Sequence, residues 1–214
     1  MLQKMTAMFV CLFSLLTFSS VSQASWQEAM QAVDQASSQM MAILEDPAYR
    51  EVEQLDPLMI KIEEILNPVV DFPYISKRVM GKYFRKASVE QQAEFSEVFR
   101  DTLIRTYAKS LSGFEIVRYE MAPQGKPSPK ADKQVVSVYI YSSTGARYTL
   151  VYYMLKQDDG WKLVNVLVDG INLRLNFKNQ FADMVSRARG DVAKVITDWK
   201  ALVSTDADSK KEDA

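Results

Sequence analysis

Residues 135–168, VVSVYIYSSTGARYTLVYYMLKQDDGWKLVNVLV, decide the fold class. Two short turns punctuate the stretch, Thr144-Gly145 and Asp158-Asp159-Gly160, and leave three β-rich segments, 135–143, 147–156 and 161–168. Glycine-containing turns this short, set between β-branched and aromatic runs, specify an antiparallel meander. Residues 114–121 read as a further strand, separated from the meander by the proline-rich loop 122–133, APQGKPSPKADK.

The meander has one unusual property. A sheet with one wet face alternates apolar and polar residues cleanly, but here both registers are apolar. Val136, Val138 and Ile140 share one side, and Val135, Tyr139 and Tyr141 share the other. Leu150, Tyr152 and Met154 oppose Val151, Tyr153 and Leu155, while Val164, Val166 and Val168 oppose Trp161, Leu163 and Leu167. Such a sheet is expected to be covered on both faces. Two explanations stay open: helices pack on both sides as ordinary core, or one face and the helices curling over it line a cavity for an apolar ligand. Eight methionines follow residue 24 (Met30, Met40, Met41, Met59, Met80, Met121, Met154 and Met184). Their flexible thioethers suit a surface that adapts to variable ligands, and equally suit core filling.

Helical periodicity surrounds the meander. Residues 26–44 place Trp26, Met30, Val33, Met40, Met41 and Leu44 at amphipathic spacing, up to a break at Asp46-Pro47. A second helix starts at Asp56-Pro57, aspartate as N-cap and proline at the first position, and ends at Asn67-Pro68. A third spans 72–84, with Gly81 a weak point or a site of close approach. Ser88-Val89-Glu90-Gln91 is a capping box, after which Phe95, Phe99, Leu103, Tyr107 and Leu111 recur every four residues until Ser112-Gly113. A last helical region, 176–203, is expected to bend at Gly190, and 204–214 reads as a charged, disordered tail. The expected architecture is one α+β domain, residues 25–203, with helices wrapped around a curved antiparallel sheet.

The first 24 residues read as a cleavable secretory signal peptide. Lys4 is the positive region, residues 7–18 (AMFVCLFSLLTF) are the apolar run, and small residues precede a cut after Ala24. Twelve helical residues span only ~18 Å, short of the ~30 Å hydrocarbon core of a bilayer. Cys11 lies inside the apolar run without small residues before it, which argues against a lipoprotein.

Composition excludes several chemistries. The chain has no histidine, and cleavage removes its single cysteine. Structural zinc sites of the cysteine–histidine type and Ser-His-Asp or Cys-His centres are therefore ruled out. The near balance of 26 basic and 27 acidic residues argues against nucleic acid as a partner. No nucleophile elbow or phosphate-cradling glycine loop occurs. Carboxylates stay open as acid/base groups; Asp71, Asp159 and Asp169 sit at turns or helix starts, where capping is the commonest role. Arg147, at the start of the middle strand, is either a solvated strand-end charge or a phosphate contact at a pocket mouth. Arg78, Lys82 and Arg85 form a basic side on the third helix.

Residues 56–111, with Asp71-Phe72, Gly81-x-Tyr83-Phe84, Ala87-Ser88 and the Phe95/Phe99/Leu103/Tyr107 helix, resemble the MlaC (toluene-tolerance) family of periplasmic phospholipid-binding proteins. Trp161-Lys162 and Asp169-Gly170-Ile171-Asn172 extend the resemblance, which runs from about residue 30 to 200. It implies a fold related to the nuclear-transport-factor-2-like folds, no enzymatic activity and no cofactor beyond a bound phospholipid. It also implies a monomeric shuttle between an outer-membrane lipoprotein–porin complex and an inner-membrane ABC transporter with an MCE-domain subunit, helping keep outer-membrane lipid asymmetry. The candidate acyl-chain lining comprises Val69, Phe72, Ile75, Val79, Phe99, Leu103 and Tyr107 from the helices. From the strands it takes Val138, Ile140, Leu150, Tyr152, Val166 and Val168. Arg147, by analogy with a mouth-lining arginine, and Lys82 are the candidate head-group contacts. Two alternatives remain: a periplasmic interaction module or chaperone, and an enzyme of the ketosteroid-isomerase type with a buried aspartate or tyrosine as base.

Overall fold

The computed structural model of the chain describes residues 18–46, 49, 55–112 and 115–208. Most of the expected leader, the breaks at Pro47 and Gly113, Phe114 at the start of the first expected strand and the last six residues lie outside them.

Five strands form one antiparallel sheet in sequence order: β1 (Ile116–Met121), β2 (Lys133–Ser142), β3 (Arg147–Gln157), β4 (Gly160–Val168) and β5 (Ile171–Asn172). The expected meander is its centre, with Val138 opposite Leu150 and Tyr152 opposite Val166. The helices are α1 (Phe18–Glu45), α2 (Leu55–Leu66), α3 (Phe72–Met80), α4 (Val89–Ser112), α5 (Leu173–Arg187) and α6 (Val192–Asp208). The architecture is α+β, helices packed against an open, curled antiparallel sheet.

Local chemistry accounts for the helix ends. The capping box forms as expected: the Gln91 amide donates to Ser88 Oγ at 3.2 Å, and the Ser88 amide donates to Gln91 Oε1 at 3.0 Å. Asp71 caps α3 by accepting from the Tyr74 amide at 2.8 Å. The third helix is shorter than expected, because Gly81 takes φ +57° and residues Gly81–Lys86 tighten into a 3₁₀ turn. The last helical region is two helices rather than one bent helix. Arg189 and Gly190 both have positive φ, and Asp191 starts α6 by accepting from the Lys194 amide. Asn172 accepts from the Leu175 amide, so α5 begins at Leu173, earlier than periodicity suggests. At the termini, α1 begins at Phe18, within the expected leader, and α6 continues to Asp208, into the expected tail.

Buried apolar side chains fall into two clusters. The larger lies among α2–α6 and the C-terminal part of α1, which adds Met40, and is centred on Phe95, Phe99, Phe181 and Trp199. Phe95 meets Phe181 at 4.7 Å and Trp199 at 5.4 Å, both edge to face, the arrangement favoured by ring quadrupoles. In the smaller cluster α1 lies on the sheet, with Ala29 and Val33 against Val136, Val138, Met154 and Trp161. Leu163 packs against both clusters.

Two expectations for the sheet change. The pairing of β3 with β4 shifts register between Tyr153 and Met154, so Asn165 faces Tyr153 while Leu163, not Val164, faces Met154. The extra residue is a β-bulge, and a one-residue offset sends every side chain beyond it to the other face. Trp161 and Leu163 therefore join Val166 and Val168 on the α1 side. The opposite face is also not fully covered: Val135 and Tyr153 are 43% and 39% exposed. Tyrosine makes this tolerable, since its ring carries a polar tip and accepts a cation on its face. Arg118 stacks 3.6 Å from the Tyr141 ring, Arg147 lies 4.8 Å from the Tyr139 ring, and the Tyr141 hydroxyl donates to Glu120 at 2.8 Å.

Candidate functional site

A chamber of about 340 Å³, partly open to solvent, lies where the two clusters meet. The helix α1 supplies one wall with Ala32, Val33, Ala36, Ser37, Met40, Met41 and Leu44. The sheet supplies the facing wall with Ile116, Tyr119, Ile140, Tyr148, Leu150, Tyr152, Met154, Leu163 and Val168. Leu66, Val69, Val70 and, from α4, Tyr107 close the remaining side.

Polar links hold α1 at its N-terminal half. Trp26 Nε1 donates to the Val135 carbonyl at 3.1 Å, and Glu28 accepts from Lys156 and, at 3.2 Å, from Trp161 Nε1. The Tyr119 hydroxyl donates to Asp34 Oδ1 at 2.9 Å. Past Asp34, the small residues Ala36 and Ser37 leave space above Leu150 and Tyr152, and the methionines border that space.

No lining residue is charged, and only Ser37 and four tyrosines bring polar atoms. Tyr107 is 40% exposed, yet burial pushes its phenol pKa up, so its accessible surface looks into the chamber rather than into bulk water. Burial also pushes up the Tyr152 phenol, helped by the neighbouring Tyr107. Both stay neutral and protonated at physiological pH. The three aspartates considered as acid/base groups do other work. Asp71 caps α3 and accepts from Gln157, Asp159 pairs with Lys162 at 2.7 Å, and Asp169 accepts from the Thr149 amide at 2.7 Å. The hydrogen bond from Lys162 holds the Asp159 carboxyl below the usual range. No cluster of metal-ligating side chains occurs among the described residues.

Of the expected lining, the structure brings Val69, Tyr107, Ile140, Leu150, Tyr152 and Val168 together around the chamber. Phe72, Ile75, Val79 and Phe99 lie instead in the helical cluster, with Leu103 packed against it. Val138 is fully buried beneath α1 in the smaller cluster, and Val166 does not reach the chamber wall. The reason for the split along α4 is helical geometry: side chains four apart on a helix of 3.6 residues per turn drift by ~40° per step. Phe95 and Phe99 therefore point into the aromatic cluster, whereas Tyr107, twelve residues beyond Phe95, points into the chamber. Neither expected head-group residue borders the chamber. Arg147 pairs with Tyr141 on the sheet's opposite face while its neighbour Tyr148 faces in, and Lys82 lies over the Tyr83 ring on the 3₁₀ turn. The α1 wall was absent from the expected set, although the Met40-Met41 pair beside Ala36 and Ser37 marked it.

A curled antiparallel sheet roofed by one long helix over an uncharged, apolar chamber defines a class of proteins built around an apolar interior. The chain belongs to the MlaC protein family, whose model matches residues 34–201. It is 34% identical over 144 residues to the toluene tolerance protein Ttg2D of Pseudomonas putida, covering 67% of this chain and 66%, just under two thirds, of that one. It is 23% identical over 175 residues to the intermembrane phospholipid transport system binding protein MlaC of Haemophilus influenzae, covering 77% of each. Among solved structures it matches a phospholipid-binding protein from Ralstonia solanacearum, determined in complex with a phospholipid, with a TM-score of 0.72 and 28% identity. That match covers 83% of this chain and 99% of the other.

Proposed function

We propose that this chain is an exported, periplasmic phospholipid carrier and not an enzyme. It takes lipid between an outer-membrane lipoprotein–porin complex and an inner-membrane ABC transporter with an MCE-domain subunit, and so helps keep the outer membrane asymmetric. The observation that carries the reading is the chamber, about 340 Å³ with no charged residue in its wall. Burying an acyl chain is worth ~0.8 kcal/mol per CH₂, on the order of 12 kcal/mol gross for sixteen carbons, so a carrier must enclose such chains to cross water. A volume near the lower end of ligand pockets, ~300–1,000 Å³, suits a site that enlarges as Met40, Met41 and Met154 change rotamer. The relatives' roles in phospholipid binding and transport support the same reading.

Native mass spectrometry of the protein, purified from its host without detergent and with lipid extraction alongside, tests it. A bound mass matching a phospholipid is expected. A folded protein with only the bare mass, and no extractable lipid, would overturn the carrier reading.

A further inference from the structure

The chamber wall contains two phenols that the fold leaves unused. Tyr119 gives its hydroxyl to Asp34, but among the described residues neither Tyr107 nor Tyr152 has a hydrogen-bond partner. Tyr107 stands on α4 and Tyr152 on the central strand β3, between Val136 and Val166 in the register. Both line the chamber, Tyr107 from its closing side and Tyr152 from the sheet wall, and a charge on Tyr107 would raise the Tyr152 pKa. Every side chain around them except Ser37 and the tyrosines is apolar. A chain that fills this partly open chamber displaces the water serving such a hydroxyl and leaves it without a partner, so a ligand that brings an acceptor to this place is favoured over one that does not.

The chemistry of that acceptor is constrained. The wall holds no lysine or arginine, so a phosphate or carboxylate brought against it would be a buried, unpaired charge. A hydrocarbon chain brings no acceptor. On a membrane lipid the neutral oxygen acceptor beside the chains is the carbonyl of the acyl ester. We propose that Tyr107 and Tyr152 form a subsite that donates hydrogen bonds to an acyl-ester carbonyl, and that it makes the chamber prefer ester-linked to ether-linked chains. The inference rests on the carrier reading and adds to it a basis for selection. The two phenols are positioned on the rigid elements α4 and β3 rather than on loops, as a selective contact requires.

The test compares dipalmitoyl phosphatidylglycerol with its dihexadecyl ether analogue, which keeps the head group and chain length and lacks both carbonyls. Each is loaded onto the unmodified protein, and dissociation into excess acceptor vesicles is followed. The diester is expected to be held roughly two- to tenfold longer for each hydrogen bond formed. In the Y107F/Y152F variant the ratio should fall to about one, with release of the ether lipid unchanged, and each single variant should lose part of the preference. Equal retention by the unmodified protein overturns the inference and leaves the carrier reading intact. Survival of the preference in both single variants and in the double variant overturns it as well. Failure of the unmodified protein to load either lipid overturns both. The single variants keep the ring and its packing, so the assignment does not depend on the double variant folding.

Discussion

The amide of Leu163 donates to the carbonyl of Val69 at 2.7 Å, while the Leu163 carbonyl accepts from the Asp71 amide at 3.1 Å. This short parallel bridge fastens the chain between α2 and α3 to the edge of β4. Both Leu163 and Val69 border the chamber, so the bridge fixes the side where the helical cluster meets the sheet. It also satisfies backbone groups that would otherwise be stranded beside an apolar space. The chamber is thus a seam held open between two separately packed cores.

A seam and a core respond differently to added bulk. Leu150→Trp should fill the chamber and sharply lower lipid occupancy while costing less stability than overpacking in a filled core. Val136, fully buried in the smaller cluster, supplies the contrast: Val136→Trp should destabilise the fold by ~1–3 kcal/mol or more. Melting curves and lipid extraction on both variants check this. Equal destabilisation with unchanged occupancy would place Leu150 in ordinary core.

Acid should loosen the roof. The hydrogen bond from Lys156, and after it that from Trp161, lowers the Glu28 carboxyl pKa. With its folded pKa depressed, the unfolded chain takes up the proton first, and stability rises with pH through that window. The contribution is present above the ordinary glutamate value of ~4.3 and is lost as pH falls through the lower folded value. Glu28→Gln should flatten this part of the acid limb in thermal unfolding. Added salt should shrink the difference, since Glu28 and Lys156 are each about half exposed.

Gly81 is expected to resist substitution for a backbone reason. Its φ of +57° with ψ of −122° is a conformation L side chains rarely adopt. Gly81→Ala should cost on the order of 1–3 kcal/mol in denaturant unfolding. An added Cβ would also meet Lys178 Cε at 3.3 Å, but that side chain can swing aside. Combining the change with Lys178→Ala should therefore recover little of the loss; full recovery would show that crowding, not backbone strain, was the cause.

The cap at Asp71 sits immediately beyond the Val69–Val70 wall. Asp71→Ala removes the acceptor for the Tyr74 amide and for Gln157, and should cost ~1 kcal/mol, with about 0.5–2 as the range. Asp71→Asn keeps a capping oxygen and should retain most of that stability. The comparison is read from denaturation midpoints of the two variants at neutral pH.

Much of this was legible in the chain itself. Turn residues and β-branched runs specified the meander, and Ser88 with Gln91 specified the start of α4, because these signals act within a few residues. The bulge at Val164 carried no such signal. Nothing in GWKLVNVLV says that one residue is skipped in pairing, and periodicity alone sends Trp161 and Leu163 to the wrong face. The head-group expectation for Arg147 met the same limit, since its neighbour Tyr148 is the one that turns inward.

What the sequence determined by itself is the kind of protein: an α+β chain with an apolar sheet, no histidine, and helices with readable starts. Those properties depend on composition and on contacts between near neighbours. Which apolar residues make solid core and which border the chamber was decided only in three dimensions. Val138 and Ile140 share one strand face, yet the second borders the chamber and the first does not. The difference is where α1 crosses the sheet and how far the helical cluster reaches toward it, a matter of packing between elements distant in sequence.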